Sequence, residues 1–306
     1  MSKNNLGAIY LSGAASIWGG LYVVSKFALD IVPPFTLMFL RYLISFLVLA
    51  LICKYTNTTI IPRLNKITLF QIGFCGYFLS IAAQFIGTKL SSAHMGAVIT
   101  TLSPVFQSAF AIWLLREKIT SRQLLSIALS FVGVMIINGV SGFGSTGSSQ
   151  EGALFLLIAA LFWGYYSVLA KKISHIYSAL QITTFGILVA TVASFPVAAY
   201  EFTNINFALL ISWPIILSIL YLAVISTAVA FFLWNKGLAL VPSHQAGLFF
   251  FLQPLVGSFL GWALLDEHLN QSFFIGTALI LAAVYIVMSG TTSSKISIEE
   301  KQNTSS

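Results

Sequence analysis

The segments AASIWGGLYVVSK, Ala14 to Lys26, and AALFWGYYSVLAK, Ala159 to Lys171, repeat each other at an offset of 145 residues. Ala14/Ala159, Ala15/Ala160, Trp18/Trp163, Gly19/Gly164, Val23/Val168 and Lys26/Lys171 are identical pairs. From Leu90 to Lys118 a second offset, of 150, matches Leu90/Leu240, His94/His244, Leu102/Leu252, Pro104/Pro254, Ser108/Ser258, Leu114/Leu264, Leu115/Leu265 and Glu117/Glu267. Leucine matches carry little weight in so apolar a chain. Paired Trp-Gly, His, Pro and Glu carry much more, and they indicate an internal duplication.

Around these segments, 58% of the 306 residues are hydrophobic and 8% are charged, against roughly 25% charged in a soluble domain. That composition excludes a soluble protein. Ten apolar runs follow from the pattern: Leu6 to Val24, Phe35 to Cys53, Leu69 to Gly87, Met95 to Leu115, Leu124 to Val140, Gly152 to Ala170, Leu180 to Tyr200, Ile215 to Leu233, Ala246 to Leu265 and Phe273 to Met288. Each is about long enough to cross a hydrocarbon core of roughly 30 Å as a helix. The fold class expected is therefore an all-α integral membrane protein with ten transmembrane helices in two inverted five-helix repeats. Five spans is an odd number, so the second repeat enters the bilayer upside down. Residues 1–140 form the first repeat, 141–151 an external Gly/Ser-rich linker, 152–290 the second repeat and 291–306 a disordered cytoplasmic tail.

Basic residues test the orientation, because cytoplasmic loops retain Lys and Arg. With the N-terminus inside, Lys3, Lys54, Arg63, Lys66, Arg116, Lys118, Arg122, Lys171, Lys172, Lys236, Lys295 and Lys301 fall on the inner side, Lys26 and Lys89 on the outer, and Arg41 within the second span. Both termini are then cytoplasmic in a multi-pass protein of the cell membrane. The net charge of +7 needs no nucleic-acid partner, since the cations are spread over separate loops. Inverted repeats about an axis in the membrane plane are the architecture of many secondary transporters.

Trp18-Gly19, Arg41-Tyr42 and Pro104 followed by Leu114-Leu115-Arg116-Glu117, echoed by Trp163-Gly164 and Pro254 followed by Leu264-Leu265-Asp266-Glu267, form a pattern that resembles the drug/metabolite transporter superfamily, specifically its EamA-type family. It extends from about Leu6 to Gly290. The resemblance implies a central cavity lined mainly by spans one to four and six to nine, and transport of small metabolites, often export of amino acids.

Side chains that interrupt the apolar runs are the candidates for substrate contact. Arg41 lies about six residues inside its span, where a charge must face the bundle or a water-filled cavity. Its guanidinium suits a substrate carboxylate held in bidentate fashion, the alternatives being snorkelling or a pair with Asp30. Trp18 with Tyr22, and Trp163 with Tyr166, each share one helical face and are placed to oppose each other across a cavity. Thr100, Ser103 and Gln107 continue from Gly96 as a polar stripe on the fourth span, and Gln84 and Gln253 are isolated amides that need buried partners. Pro104 and Pro254 are helix kinks expected to free the carbonyls of Thr100 and Phe250 for the cavity. His94, His244, Glu117 and Glu267 lie near helix ends, with gating, coupling or plain capping as their possible roles.

The function expected is a secondary transporter of small metabolites, amino acids or related compounds first, with export favoured and alternating access as the mechanism. Drug or lipophilic-cation efflux is the alternative, weakened because no apolar run contains an acid. An intramembrane lipid-modifying enzyme would need His, Asp or Cys at one depth, which the repeat separates. A channel would need a ring of like charges or a filter loop. No cofactor or metal is expected; the partners are a small-molecule substrate and membrane lipid. Proton coupling through a histidine, coupling through substrate charge and facilitated exchange without an ion remain three alternatives, and oligomeric state is left open.

Overall fold

Inside a bilayer the backbone must satisfy its own polar groups, and helices do so without edges. The computed structural model describes residues 3–61, 63–91, 93–138, 148–203, 210–265, 271–272, 274–283 and 285–286, and among these there is no strand. Six helices are long and apolar enough to cross a membrane: α1 (Lys3–Leu29), α2 (Pro34–Tyr55), α3 (Lys66–Leu90), α7 (Ser148–Ile173), α8 (Ala179–Phe202) and α9 (Trp213–Leu240). Shorter helices make up the remainder: α4 (Ala93–Thr100), α5 (Ser103–Leu115), α6 (Ser121–Asn138), α10 (Ser243–Ala246), α11 (Leu252–Leu265) and α12 (Phe274–Ala283). A 3₁₀ turn, Gly247–Phe251, joins α10 to α11. Large apolar residues face outward, Trp113, Val192 and Tyr285 among them, as a lipid-facing surface requires.

Three details differ from the expectation. The fourth apolar run is two helices, because Pro104 stands in the first turn of α5 and the chain turns at Thr101 and Leu102. Proline is favoured there, where its missing N–H costs nothing. The ninth run is likewise divided, into α10, the 3₁₀ turn and α11. Finally, α7 starts at Ser148, inside the stretch expected as linker; residues 141–147 and the tail 291–306 lie outside the described residues.

Helix pairing repeats when the halves are exchanged. α1 packs on α9 and α11, while α7, the equivalent of α1, packs on α3 and α5; α2 and α8 pack on each other. The close contacts follow the same rule. A Cβ on Gly237 would stand 3.1 Å from the Gly7 carbonyl oxygen, and one on Gly152 would stand 3.0 Å from that of Gly87. Small residues at such crossings let helix backbones approach, which is how membrane helices associate. At the helix ends, Lys26 Nζ donates to Lys89 O and Lys171 Nζ to Ala239 O, both at 3.2 Å, capping the last turns of α3 and α9.

Both α3 and α9 contain a π-helical stretch at corresponding places, Ile72–Leu79 and Tyr221–Val229. The wider turn displaces carbonyls from the usual ladder, and such segments recur at functional sites. Neighbouring helices use those carbonyls: Tyr42 Oη donates to Tyr77 O at 2.6 Å, Ser45 Oγ to Ala223 O at 2.7 Å and Trp18 Nε1 to Ser226 O at 2.9 Å.

The crossing of α7 over α5 gives a test of this close approach. A Cβ on Gly164 would lie 2.6 Å from the Gln107 backbone nitrogen, so Gly164→Val must move backbone and should destabilise by about 1–3 kcal/mol. Gly13→Ala, whose Cβ would meet only Leu233 at 3.5 Å, should be tolerated. Thermal unfolding of both variants in detergent checks the difference.

Candidate functional site

The central cavity lies between α1, α2, α3, α7 and the turn preceding α11. Its volume is ≈ 30 Å³, enough for one or two waters and far too small for a metabolite. Trp18, Tyr22, Arg41, Gln84, Thr100 and Ser103 line it from the first half of the chain, and Trp163 and Gln253 from the second. Phe231 and Phe250 complete the wall.

Arg41 is fully buried. Its Nε donates to Thr227 Oγ1 at 2.7 Å, and the guanidinium lies 5.4 Å from the centre of the Tyr42 ring and 5.3 Å from that of Phe85. Ring faces at such distances attract a cation. Thr227 is itself held by donating to Leu222 O at 2.6 Å, a bond spanning five residues that the π turn of α9 makes available. One edge of the guanidinium is thus fixed, while Nη1 and Nη2 have no hydrogen-bond partner. Trp163 Nε1 and Gln253 Nε2, on the same cavity, are also unpartnered. All four atoms are donors, and among the described residues no Asp or Glu lines the cavity. Buried donors without acceptors are costly, and acceptor atoms placed in this cavity would relieve that cost. The alternatives of snorkelling and a pair with Asp30 do not occur: Asp30 pairs with Lys26 at 3.5 Å.

The two tryptophans meet directly instead of facing each other across the cavity. Their ring centroids are 5.1 Å apart at 87°, edge to face. Phe231 lies 5.5 Å from Trp18 and Phe250 5.5 Å from Trp163, which makes an aromatic layer along one side. Tyr22 Oη lies 2.5 Å from Thr100 Oγ1, which donates to Gly96 O at 2.7 Å. The Thr100 carbonyl is not free for the cavity as Pro104 suggested, because Ser103 Oγ donates to it at 2.7 Å.

Two other candidates point elsewhere. Tyr166 joins a ring of hydrogen bonds with Tyr77 and Asn235: Tyr166 Oη donates to Asn235 Oδ1 at 2.9 Å, Asn235 Nδ2 to Tyr77 Oη at 2.8 Å, and the two phenol oxygens are 3.2 Å apart. Asn235 Nδ2 also reaches Thr183 Oγ1 at 2.9 Å, tying α3, α7, α8 and α9 together beside the aromatic layer. Gln107 donates to Ser243 O at 2.6 Å, and the Ser243 N–H donates to Glu117 Oε1 at 3.1 Å, so both side chains fix the start of α10. Pro254 stands in the first turn of α11, next to Gln253 of the cavity wall. The backbones of His94 and His244 lie in α4 and α10, but their side chains, and the whole of Glu267, are outside the described residues. Among the described residues no group of His, Cys, Asp or Glu is arranged to hold a metal ion.

A protein with this helical framework has known counterparts. The sequence profile described as the EamA-like transporter family matches residues 5–139 and, again, 150–289. The chain belongs to the EamA-like transporter family. Similar EamA relatives include the "Uncharacterized transporter YetK" of Bacillus subtilis, 27% identical over 94% of this chain and 88% of that protein. The "Probable amino-acid metabolite efflux pump" of Escherichia coli is 26% identical over 90% of this chain and 92% of that protein. A solved protein crystal structure superposes with a TM-score of 0.76 at 19% identity, covering 92% of this chain and 96% of that one, and shows the same fold. As an EamA protein the chain is a multi-pass membrane transporter with a small-molecule substrate.

The sequence reading of this EamA chain missed Thr227, Asn235, Tyr77 and Phe231, and singled out Phe250 for its carbonyl and not for its ring. Asn235 left a signal, being a lone amide beside Lys236 at the end of an apolar run that was closed at Leu233. Asn235→Leu would leave the Tyr77, Tyr166 and Thr183 hydroxyls without their amide partner, at a cost of about 1–3 kcal/mol for each group left unsatisfied. The expected result is a lower unfolding temperature in detergent, with Asn235→Asp intermediate because its carboxylate or acid still reaches the tyrosines.

Proposed function

We propose that this EamA transporter carries small carboxylate-bearing metabolites, amino acids and related compounds first, out of the cell across the cytoplasmic membrane by alternating access. The observation that carries the reading is the convergence of unpartnered donors, Arg41 Nη1 and Nη2, Trp163 Nε1 and Gln253 Nε2, on one closed cavity. A carboxylate presents two acceptor oxygens to the free edge of the guanidinium, the geometry in which arginine binds most selectively. The name of the Escherichia coli relative points to the same class of substrate. A lipophilic cation would meet donors and no carboxylate.

Alternating access rests on two inverted five-helix repeats. Support comes from the helix pairing that persists under exchange of halves, from the two profile matches and from five apolar runs on each side of the Gly/Ser-rich segment. Both termini face the cytoplasm in this arrangement, which puts twelve cations on the inner side against two on the outer, in keeping with the retention of Lys and Arg in cytoplasmic loops. The cavity is too small to hold the substrate as it stands, so the halves part on one side at a time. The closing contacts are edge-to-face rings and single hydrogen bonds, which a rocking motion breaks without unfolding a helix.

Binding separates recognition from architecture at Arg41. In proteoliposomes, Arg41→Lys should weaken a carboxylate substrate found in a metabolite panel, and Arg41→Gln should weaken it by about ten- to over a hundredfold. The amidated analogue should bind wild type and Arg41→Gln equally. Equal losses for acid and amide would make Arg41 a structural charge and remove the carboxylate reading.

Orientation has its own check. Ser145→Cys, in a background lacking Cys53 and Cys75, should react with an impermeant thiol reagent applied to intact cells. Labelling only after permeabilisation would reverse the assigned topology.

A further inference from the structure

Away from the central cavity, a cleft of ≈ 850 Å³ opens between α2, the α2–α3 connection and α8. Lys54, Arg63 and Lys66 stand around it, and Phe46, Ala50 and Leu188 form its apolar wall. These cations come from the last turn of α2, the connection and the first residue of α3, and the connection is shaped to bring them together. Asn57 and Asn65 both adopt left-handed backbone conformations, with φ 51° and 46°, which turn the chain back at either end. The connection is then pinned to the start of α8. Gln181 Nε2 donates to Thr59 O at 3.1 Å, the Leu64 N–H donates to Tyr177 Oη at 2.8 Å, and Tyr177 Oη donates to Leu64 O at 2.9 Å.

Nothing acidic neutralises this cluster from within its own region, because the sequence contains no Asp or Glu between residues 31 and 116. Glu117 is engaged at Ser243. Among the described residues Lys54, Arg63 and Lys66 form no ion pair, and all three are exposed, so they present their charge at the rim. The apolar wall leads onto a different surface: Leu47 and Leu51 on α2 and Val192 on α8 are each more than half exposed and lie along the part of the bundle that faces lipid. The cleft is thus cationic at one end and open to hydrocarbon at the other.

We propose that this cleft is a binding site for an anionic glycerophospholipid, its phosphate held by Lys54, Arg63 and Lys66 and an acyl chain lying along Phe46, Ala50 and Leu188. Basic pockets between membrane helices recognise such headgroups, and the apolar wall selects a lipid over a soluble phosphate, which would gain nothing from it. The leaflet is the cytoplasmic one under the topology proposed above; the site itself does not depend on that topology. Seated between α2 and α8, the two helices that pair across the halves, the lipid bridges elements from both repeats.

Native mass spectrometry of the full-length protein, titrated in detergent with palmitoyl-oleoyl phosphatidylglycerol or the matching phosphatidylcholine, reads this directly. Wild type should retain phosphatidylglycerol in preference to phosphatidylcholine. Lys54→Gln/Arg63→Gln/Lys66→Gln should lose affinity by about fivefold per cation, or about 100-fold in all. Arg116→Gln/Lys118→Gln/Arg122→Gln removes the same charge from another loop and should keep the preference. Ala50→Trp fills the apolar wall with every cation in place and should also displace the lipid, which guards against misfolding or mistargeting of the triple variant. Undiminished preference in both site variants, or equal loss in the control variant, would overturn the proposal. So would inorganic phosphate or glycerol phosphate competing as well as the lipid, since the site would then be one for a soluble anion.

Discussion

A guanidinium removed entirely from water has to be met by dipoles, ring faces or an anion, and Arg41 is such a group. Thr227 meets one edge, and the faces of Tyr42 and Phe85 take part of the charge. What remains is the two-nitrogen edge that opens on the cavity. The surrounding architecture serves this placement. The π turn of α9 presents Leu222 O to Thr227, which orients Nε; the same turn presents Ala223 O to Ser45, one helical turn beyond Arg41 on α2. Deleting the π turn would move Thr227 around the helix and release both contacts together.

That turn has an equivalent in α3, and the equivalence extends through the interface between halves. α2 packs on the π segment of α9 as α8 packs on that of α3. Yet the two sides differ in chemistry. Span two carries Arg41, whereas span seven has no basic residue, and the ring of Tyr77, Tyr166 and Asn235 occupies the region beside α8. Duplication supplied a symmetric frame, and divergence placed a charge on one side and a neutral hydrogen-bond network on the other.

Most of the fold was legible because hydropathy is a collective property: about twenty apolar residues in a row need no knowledge of their neighbours to be read as a span. Breaks in the fourth and ninth runs were legible only in part. Pro104 and Pro254 mark both, but a proline inside an apolar run reads equally as a kink or as the first turn of a new helix. The π turns left no mark, since Ile72 to Leu79 and Tyr221 to Val229 have the same composition as the helix around them. Among site residues, Arg41, Gln84 and Gln253 stood out because a polar atom in an apolar run must be satisfied somewhere. Phe231 and Phe250 could not, being apolar among apolar residues. The division of Trp163 and Tyr166 between cavity and network depends on which neighbour each meets, and that is decided by helix placement.

The aromatic layer gives the closed cavity its particular character. Trp18 and Trp163 come from the two equivalent helices, and their edge-to-face contact is made only when the halves are together at that depth. Each ring also holds a separate partner, Trp18 through Nε1 to Ser226 O and Trp163 through its contact with Tyr166 at 5.1 Å. In the proposed motion Trp18 would leave Trp163, Phe231, Phe250 and the Ser226 carbonyl, all of the second half, at about 0.5–1.5 kcal/mol for each ring contact, while Trp163 would keep Tyr166 on its own helix. Under the proposed mechanism a substrate entering between the two tryptophans would replace their contact with contacts of its own, and an acceptor group would additionally satisfy the donors of Arg41, Trp163 and Gln253. The differential interaction that a ligand needs in order to shift a conformational equilibrium would, in that mechanism, come from the same few groups that close the cavity in its absence.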